Sequence, residues 1–301
     1  MKNIVIYMIQ DFELRCGGAV VQYELAKRIS DLNYTIQMIT PNNVNNHICN
    51  NFLINKTIDP ENTIVIYGEG ITNNPLNAKY VVRWILAPLG LCCPPDIHKT
   101  WDPTDLVYYF NSEDKFSKHP EKVGNIYKLL NILYVNPSAK NNNPGPRSGC
   151  CHTFRKSHYH KNLVLIHPPH SRELTTDLTQ DQLIEQFNKF QYFISYDPLT
   201  FISVIAALCG CVSIVKKVDG MSKAEWLNNT SCSEYIKAKG INTLYGIAYG
   251  ADDLENAIST MHLVKEQWDD IVHFMTTKNI KSFISDMENY ETLINTVQNN
   301  Y

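Results

Sequence analysis

Three groups of residues in this sequence have types and spacing suited to binding phosphate and moving a proton. The first is Asp197, Thr200 and Ser203, at the head of the apolar run Phe193–Val215, FISYDPLTFISVIAALCGCVSIV. Phe193–Tyr196 reads as a buried strand, Asp197-Pro198 as a turn, Leu199–Leu208 as a helix and Cys211–Val215 as the next strand. Pro198 suits the first position of a helix and Gly210 suits its C-terminal end. A strand–helix–strand unit of this kind offers the N–H groups and positive dipole of its helix start at the edge of a parallel sheet, where phosphates bind. Thr200 and Ser203 add hydroxyl donors there. Asp197 either accepts bonds from ligand hydroxyls or caps the helix, and Tyr196 either lines the pocket or belongs to the core.

The second group is cationic. Arg155 and Lys156 are adjacent, with Lys161 behind them. Such a pair can carry the charge of a diphosphate by charge-assisted hydrogen bonds; otherwise it is a solvated loop. The third group is acidic. Glu69 sits between Gly68 and Gly70 at the end of a strand, and Asp11 and Glu13 sit on the loop before Gly17-Gly18. A carboxylate at a strand end can act as a general base, with Glu69 ranked ahead of Asp11. Gly17 and Gly18 at a helix start let the backbone approach a ligand closely, or simply make a tight turn. His167 ends a strand and either contacts a ligand or is structural. Arg83, unusual within an apolar helix, either pairs with a carboxylate or touches a phosphate, and the structural ion pair is the favoured reading.

The elements that position these residues alternate. Asn3–Ile9 reads as a strand, Ala19–Leu32 as a helix, and Tyr34–Ile39 and Thr63–Tyr67 as strands. A helix from Asn74-Pro75 to Trp84 and strands at Leu106–Phe110 and Ile132–Val135 follow. Pro137–Gly149 is polar and rich in Pro and Gly, a linker by composition. Beyond it come a strand end at His152–Arg155, a strand at Asn162–Ile166 and a helix at Thr179–Phe190. The apolar unit is next, then a helix around Ser222–Leu227, a turn at Tyr245–Gly250 and helical stretches over Asp252–Phe274 and Lys278–Val297. This alternation indicates α/β domains with parallel sheets. The expected division is residues 1–140, 141–277 and a last helix, 278–301, that returns to the first domain. Two such domains leave a cleft faced by the C-terminal edges of both sheets.

The totals narrow the class. The chain has 301 residues, 44% of them hydrophobic and 19% charged, and a net charge of −3, which by itself gives no reason to expect nucleic acid as a partner. The apolar run is interrupted by Cys209-Gly210-Cys211 and has strand-like ends, so it is not read as a membrane span, which needs ~20 apolar residues. The opening residues read as a strand rather than a signal peptide, and a cytoplasmic protein with reduced thiols is expected. The nine cysteines include no Cys-x-x-Cys pair, and Cys150, Cys151 and His152 lack the spacing of a zinc site. No Gly-x-Gly-x-x-Gly follows a strand, which argues against a dinucleotide-dependent dehydrogenase.

In the order Gly17-Gly18, NNPLNAKYVVRW (Asn73–Trp84), Arg155-Lys156, SYDPLTFISVIAALCGCVSIV, DGMSKAEW (Asp219–Trp226) and YGIAYG (Tyr245–Gly250), the chain resembles nucleotide-sugar-dependent glycosyltransferases of the GT-B fold. It is most similar to those that build polysaccharides and glycoconjugates. The resemblance implies two Rossmann-like domains facing a central cleft. The activity it implies is transfer of a sugar from a nucleoside diphosphate donor, such as a UDP-sugar, to a glycan hydroxyl, with no obligatory metal. It assigns donor contacts to Gly17, Gly18, Arg155, Lys156, His167, Tyr196, Asp197, Thr200 and Ser203, and the base to Glu69 or Asp11. Many retaining members carry Glu-x7-Glu where this chain has Asp197 and Ile205. The apolar second position leans the expectation toward inversion. A nucleotide-sugar epimerase and a non-catalytic glycan- or nucleotide-binding protein are the competing readings.

Overall fold

The computed structural model describes residues 2–14, 16–42, 57–110, 128–143, 145–155, 157, 160 and 162–298. They form two compact units, residues 1–134 with 275–301, and residues 135–274.

In unit 1 the strands are β1 (Asn3–Tyr7), β2 (Ile36–Ile39), β3 (Thr63–Gly68), β4 (Tyr80–Ile85), β5 (Leu106–Tyr109) and β6 (Lys128–Leu129). They pair in the order β2-β1-β3-β4-β5-β6, and every pairing is parallel. Helix α1 (Gly17–Asp31) connects β1 to β2. Successive side chains of a strand face opposite sides. Ile4, Ile6, Ile64, Ile66, Val82 and Trp84 therefore join Tyr23, Ala26 and Ile29 of α1 in one core. Val5, Val65 and Tyr67 face the other way, against the loop residues Ile71 and Ala78. Phe283, Ile284 and Met287, from the second half of a long helix (Val264–Glu288), complete the first core together with Tyr290 of the helix after it, Tyr290–Gln298. The Tyr290 hydroxyl donates to the Val81 carbonyl at 2.6 Å and accepts from the Val81 N–H at 3.0 Å.

Unit 2 contains β7 (Ser148–Thr153), β8 (Arg172–Glu173), α2 (Gln180–Phe187), β9 (Phe190–Ser195), α3 (Ile202–Leu208), β10 (Val212–Val215), α4 (Lys223–Asn228), α5 (Ser233–Lys239), β11 (Ile247–Tyr249) and α6 (Leu254–Thr260). The long helix from Val264 is α7 and the last one is α8. Its sheet, also all parallel, has the order β11-β10-β9-β7-β8. Read from the other side, that is β8-β7-β9-β10-β11, the same arrangement as the first five strands of unit 1. Thr179 starts α2 with a reciprocal cap, its side chain accepting from Gln182 N–H while the Gln182 side chain accepts from the Thr179 N–H. The apolar unit folds as β9-α3-β10, with Phe193, Ile202, Ile205, Ala206 and Cys211 in one core.

Several elements differ from the sequence reading. Tyr80–Ile85 is a wholly buried strand, not the end of a helix, and no helix links β3 to β4. Asn162–Ile166 forms no strand, with Val164 and Leu165 exposed. Ile132–Val135 forms no strand. The polar stretch Pro137–Gly149 is fastened to unit 2 rather than loose. Arg147 donates to the carbonyls of Phe187 at 2.6 Å and Cys209 at 2.7 Å, the ends of α2 and α3, and to Asn141 Oδ1 at 2.6 Å. Gly210, with φ +83°, passes so close beneath that a Cβ would lie 2.8 Å from Asn141 Nδ2, so only glycine fits.

Candidate functional site

In an open parallel sheet, ligands bind outside the C-terminal strand ends at the point where the strand order reverses. In unit 2 that point lies between β7 and β9, and in unit 1 between β1 and β3.

At the β7/β9 point, Phe154-Arg155 follows one strand and Tyr196-Asp197-Pro198 the other. Tyr196 is fully buried. Its hydroxyl accepts from Ile166 N–H at 2.7 Å and His167 N–H at 3.3 Å, and lies 2.8 Å from His167 Nδ1. The loop that carries His167 is thus hung on the Tyr196 ring. His167 stacks on His152 with centroids 3.7 Å apart and planes at 10°. Phe154 stacks on Tyr196 at 4.9 Å, and His160 donates from Nε2 to the Tyr196 carbonyl at 3.0 Å. Burial holds the His152 and His160 imidazoliums below their ordinary range, and the neighbouring His167 adds to that at His152. His152 and His160 escape sequence reasoning as neighbours of this point because only the fold brings His152 beside His167 and His160 beside Tyr196; no spacing signals them.

Arg155 is half-buried, with one long bond from Nη2 to the Thr176 carbonyl at 3.4 Å. Burial works against its charge and the Asp197 carboxylate supports it. Asp197 is 2% exposed, and its Oδ1 accepts from Leu199 N–H at 3.0 Å, closing the turn before α3. Thr200 Oγ1 accepts from Ile202 N–H at 3.2 Å. Helix α3 begins only at Ile202, later than expected, and Ser203 points inward with its hydroxyl unbonded and the residue 4% exposed. Ser203 is therefore not carried forward as a phosphate donor. The apolar periodicity of α3 turns that face of the first turn into the core. Ile205, at the second acidic position of the retaining pattern, is likewise buried. Lys156 and Lys161 lie outside the described residues.

At the β1/β3 point, Gly17 and Gly18 open α1. Neither has a positive φ, a Cβ on Gly17 would meet nothing within 4 Å, and one on Gly18 would rest 3.5 Å from Leu86 Cδ1. The protein's own packing does not demand this glycine pair. Glu69 directly follows β3 and is 8% exposed, with Oε2 accepting from Leu86 N–H at 3.0 Å. Burial raises its pKa above the usual carboxylate value, against the pull of backbone N–H donors. Asp11 differs: its carboxylate accepts from the Asn42 side chain and, at 3.2 Å, from the Asn42 N–H, and these bonds lower its pKa. It clamps the segment after β2 and is the weaker base of the two.

Two residues of the DGMSKAEW segment have structural work. Trp226 is 2% exposed, donates from Nε1 to the Pro198 carbonyl at 2.7 Å and stacks on Tyr249 at 4.9 Å. Lys223 pairs with Asp253 at 2.7 Å on the wall of a pocket of about 500 Å³ beside α4, whose polar groups largely bond one another. Among the described residues, no group of three or more His, Cys, Asp or Glu side chains is placed to hold a metal, and no helix is long and apolar enough to cross a membrane.

The pair of parallel α/β units fits the GT-B architecture that the resemblance implies. No protein-family model and no curated protein matches the sequence. Solved structures that resemble the chain include glucosyltransferases. A T4 phage β-glucosyltransferase shares 10% identity over 99% of both chains with a TM-score of 0.48. An α-glucosyltransferase bound to UDP-glucose and DNA containing an abasic site shares 12% identity over 97% of this chain and 99% of that one, with a TM-score of 0.46. A T4 phage BGT structure holding UDP and Mn2+ shares 10% identity over 99% of both chains, with a TM-score of 0.46. The expectation that nucleic acid is no partner is corrected by this set, which includes enzymes seen with DNA. Net charge is a sum over the whole chain, whereas binding to phosphates depends on local cationic surface, so a total of −3 never excluded it.

Proposed function

We propose that this protein is a glycosyltransferase that moves a sugar from a nucleoside diphosphate sugar to a hydroxyl acceptor. The observation that supports this best is the gathering of Arg155, His167, Tyr196 and Asp197 at the reversal point of the unit 2 sheet, where a phosphorylated ligand belongs. In this reading Arg155 meets the diphosphate charge that develops as the sugar departs. Asp197 and the His167 loop border the sugar, with Thr200 at the rim and Lys156 as a second cation. In unit 1, Gly17-Gly18 and the Glu69 carboxyl lie at the reversal point of that unit's own sheet, and the raised pKa of Glu69 suits a proton acceptor. Inversion is the stereochemical outcome expected, since Ile205 supplies no second acid.

The acceptor is decided by experiment. Purified protein is incubated with UDP-glucose and other nucleotide sugars, with and without Mn2+. One arm contains oligosaccharides and the other contains duplex DNA with hydroxymethylated bases. Released UDP and the product mass are measured. Sugar transfer to either acceptor supports the proposal and names the acceptor. Conversion of the donor to its epimer without acceptor favours the epimerase reading. Saturable donor binding with no turnover in any arm leaves a binding protein.

A further inference from the structure

Strands β3 and β4 are adjacent and parallel, yet only residues 69–79 join them, with no helix. Parallel neighbours ordinarily need a crossover of about a dozen or more residues, usually helical. A connection this short turns some of its own carbonyls inward, where each must find a donor. Arg83 of β4, opposite Tyr67 in the register, is the donor. Its side chain is 0% exposed. Nη1 donates to the Ile71 carbonyl at 3.1 Å, Nη2 to the Asn73 carbonyl at 2.5 Å, and Nε to Asp105 Oδ2 at 2.7 Å. The rings of Tyr67 and Trp101 flank the guanidinium at 4.9 and 5.3 Å, and Trp101 Nε1 also donates to the Ile71 carbonyl, at 3.0 Å.

Glu69 belongs to this loop. It lies two residues before the first pinned carbonyl, and its carboxylate is tied at the far end of β4, to the Leu86 N–H at 3.0 Å. Asn73 holds a left-handed φ of 51° inside the same clamp. A lysine head group has no planar fork with which to bridge two carbonyls and a carboxylate at once. These features do not follow from a need for stability alone, because a buried ion pair is often no better than an apolar pair of the same shape.

We infer that Arg83 is a positioning residue for Glu69: its guanidinium, buried against Asp105, stands in for the missing crossover helix and holds the loop that keeps the carboxyl in place. This rests on the reading of Glu69 as the base, and the experiment separates the two.

The carboxyl carbons of glutamate are labelled with 13C, the Glu69 resonance is assigned by its loss in Glu69→Gln, and its titration is followed in wild type and in Arg83→Lys. Donor turnover is measured on the same samples. The expected result is a Glu69 titration that falls toward the ordinary carboxylate range in Arg83→Lys, as water reaches a loosened loop. The expected loss in kcat is about a hundredfold, the cost of misplacing a reacting group by an ångström or so, with KM for the donor unchanged. Arg83→Gln combined with Asp105→Asn removes both charges together, strands no buried ion, and gives the same readout if the lysine variant does not fold. A Glu69 titration identical to wild type in a folded variant overturns the inference. If Glu69 titrates as expected but Glu69→Gln retains full transfer, the positioning role stands and the assignment of the base falls.

Discussion

Arg155 offers the sharpest test of the donor site. Among the described residues the side chain makes one bond, 3.4 Å from Nη2 to the Thr176 carbonyl, too long to contribute much to folding. Its remaining internal role is electrostatic, through the buried Asp197 carboxylate nearby. Arg155→Lys keeps a cation beside Asp197, so the melting temperature should stay close to that of wild type. Arg155→Ala removes that support and should melt somewhat lower. For the ligand the order of effects is different. A hydrogen bond to a charged group contributes about 1.5–3 kcal/mol, so Arg155→Ala should weaken UDP binding roughly tenfold to 150-fold. Lysine cannot make the two-pronged contact with a phosphate and should fall between the two. Isothermal titration calorimetry with UDP, alongside thermal melts, reads both quantities. The reasoning is refuted if Arg155→Ala binds UDP within twofold of wild type while remaining folded.

Other outcomes follow from the same geometry. Glu69→Gln should lower the transfer rate by roughly 10²- to 10⁴-fold, the range for loss of a general base, while donor affinity is retained. Because burial raises the Glu69 pKa, the folded state favours its protonated form, and stability is lost as pH rises through that raised value. Glu69→Gln should therefore melt above wild type at neutral pH, with the gap closing below about pH 4, under the unfolded carboxyl's own pKa. Tyr196→Phe removes the acceptor for the N–H donors of Ile166 and His167, at a cost of about 0.5–1.5 kcal/mol; hydrogen exchange of residues 162–170 should speed up. Tyr290→Phe breaks the paired bonds to Val81 and should lower stability by about 1–2 kcal/mol, measured by urea denaturation.

How much of this could be read from the residues varies from element to element for identifiable reasons. The β9-α3-β10 unit was legible because Pro198 and Gly210 punctuate an otherwise unbroken apolar run, and the alternating pattern correctly indicated parallel sheets. Tyr80–Ile85 was misread as helix because a short apolar run has no periodicity of its own. Its valines argued for a strand, and Arg83 passed for the polar face of a helix when it was in fact fully buried. Asn162–Ile166 has the composition of a strand but no neighbour to pair with, and tertiary partners decide that. The flanking glycines of Glu69 marked a strand end, and the structure has it directly after β3. Ser203 was misjudged because spacing shows which turn a hydroxyl occupies, not which way it points. The stacking of His152 on His167 joins residues from different segments and has no trace in the local sequence.

The way unit 1 is closed has a bearing on how the chain comes off the ribosome. Phe283, Ile284, Met287 and Tyr290 fill its main core, yet they are synthesised only after all of residues 135–274. During that interval the strands of residues 1–134 must wait with an open greasy face, a window in which chaperones or aggregation compete for them. A polypeptide halted before this closing segment would make a poor soluble fragment.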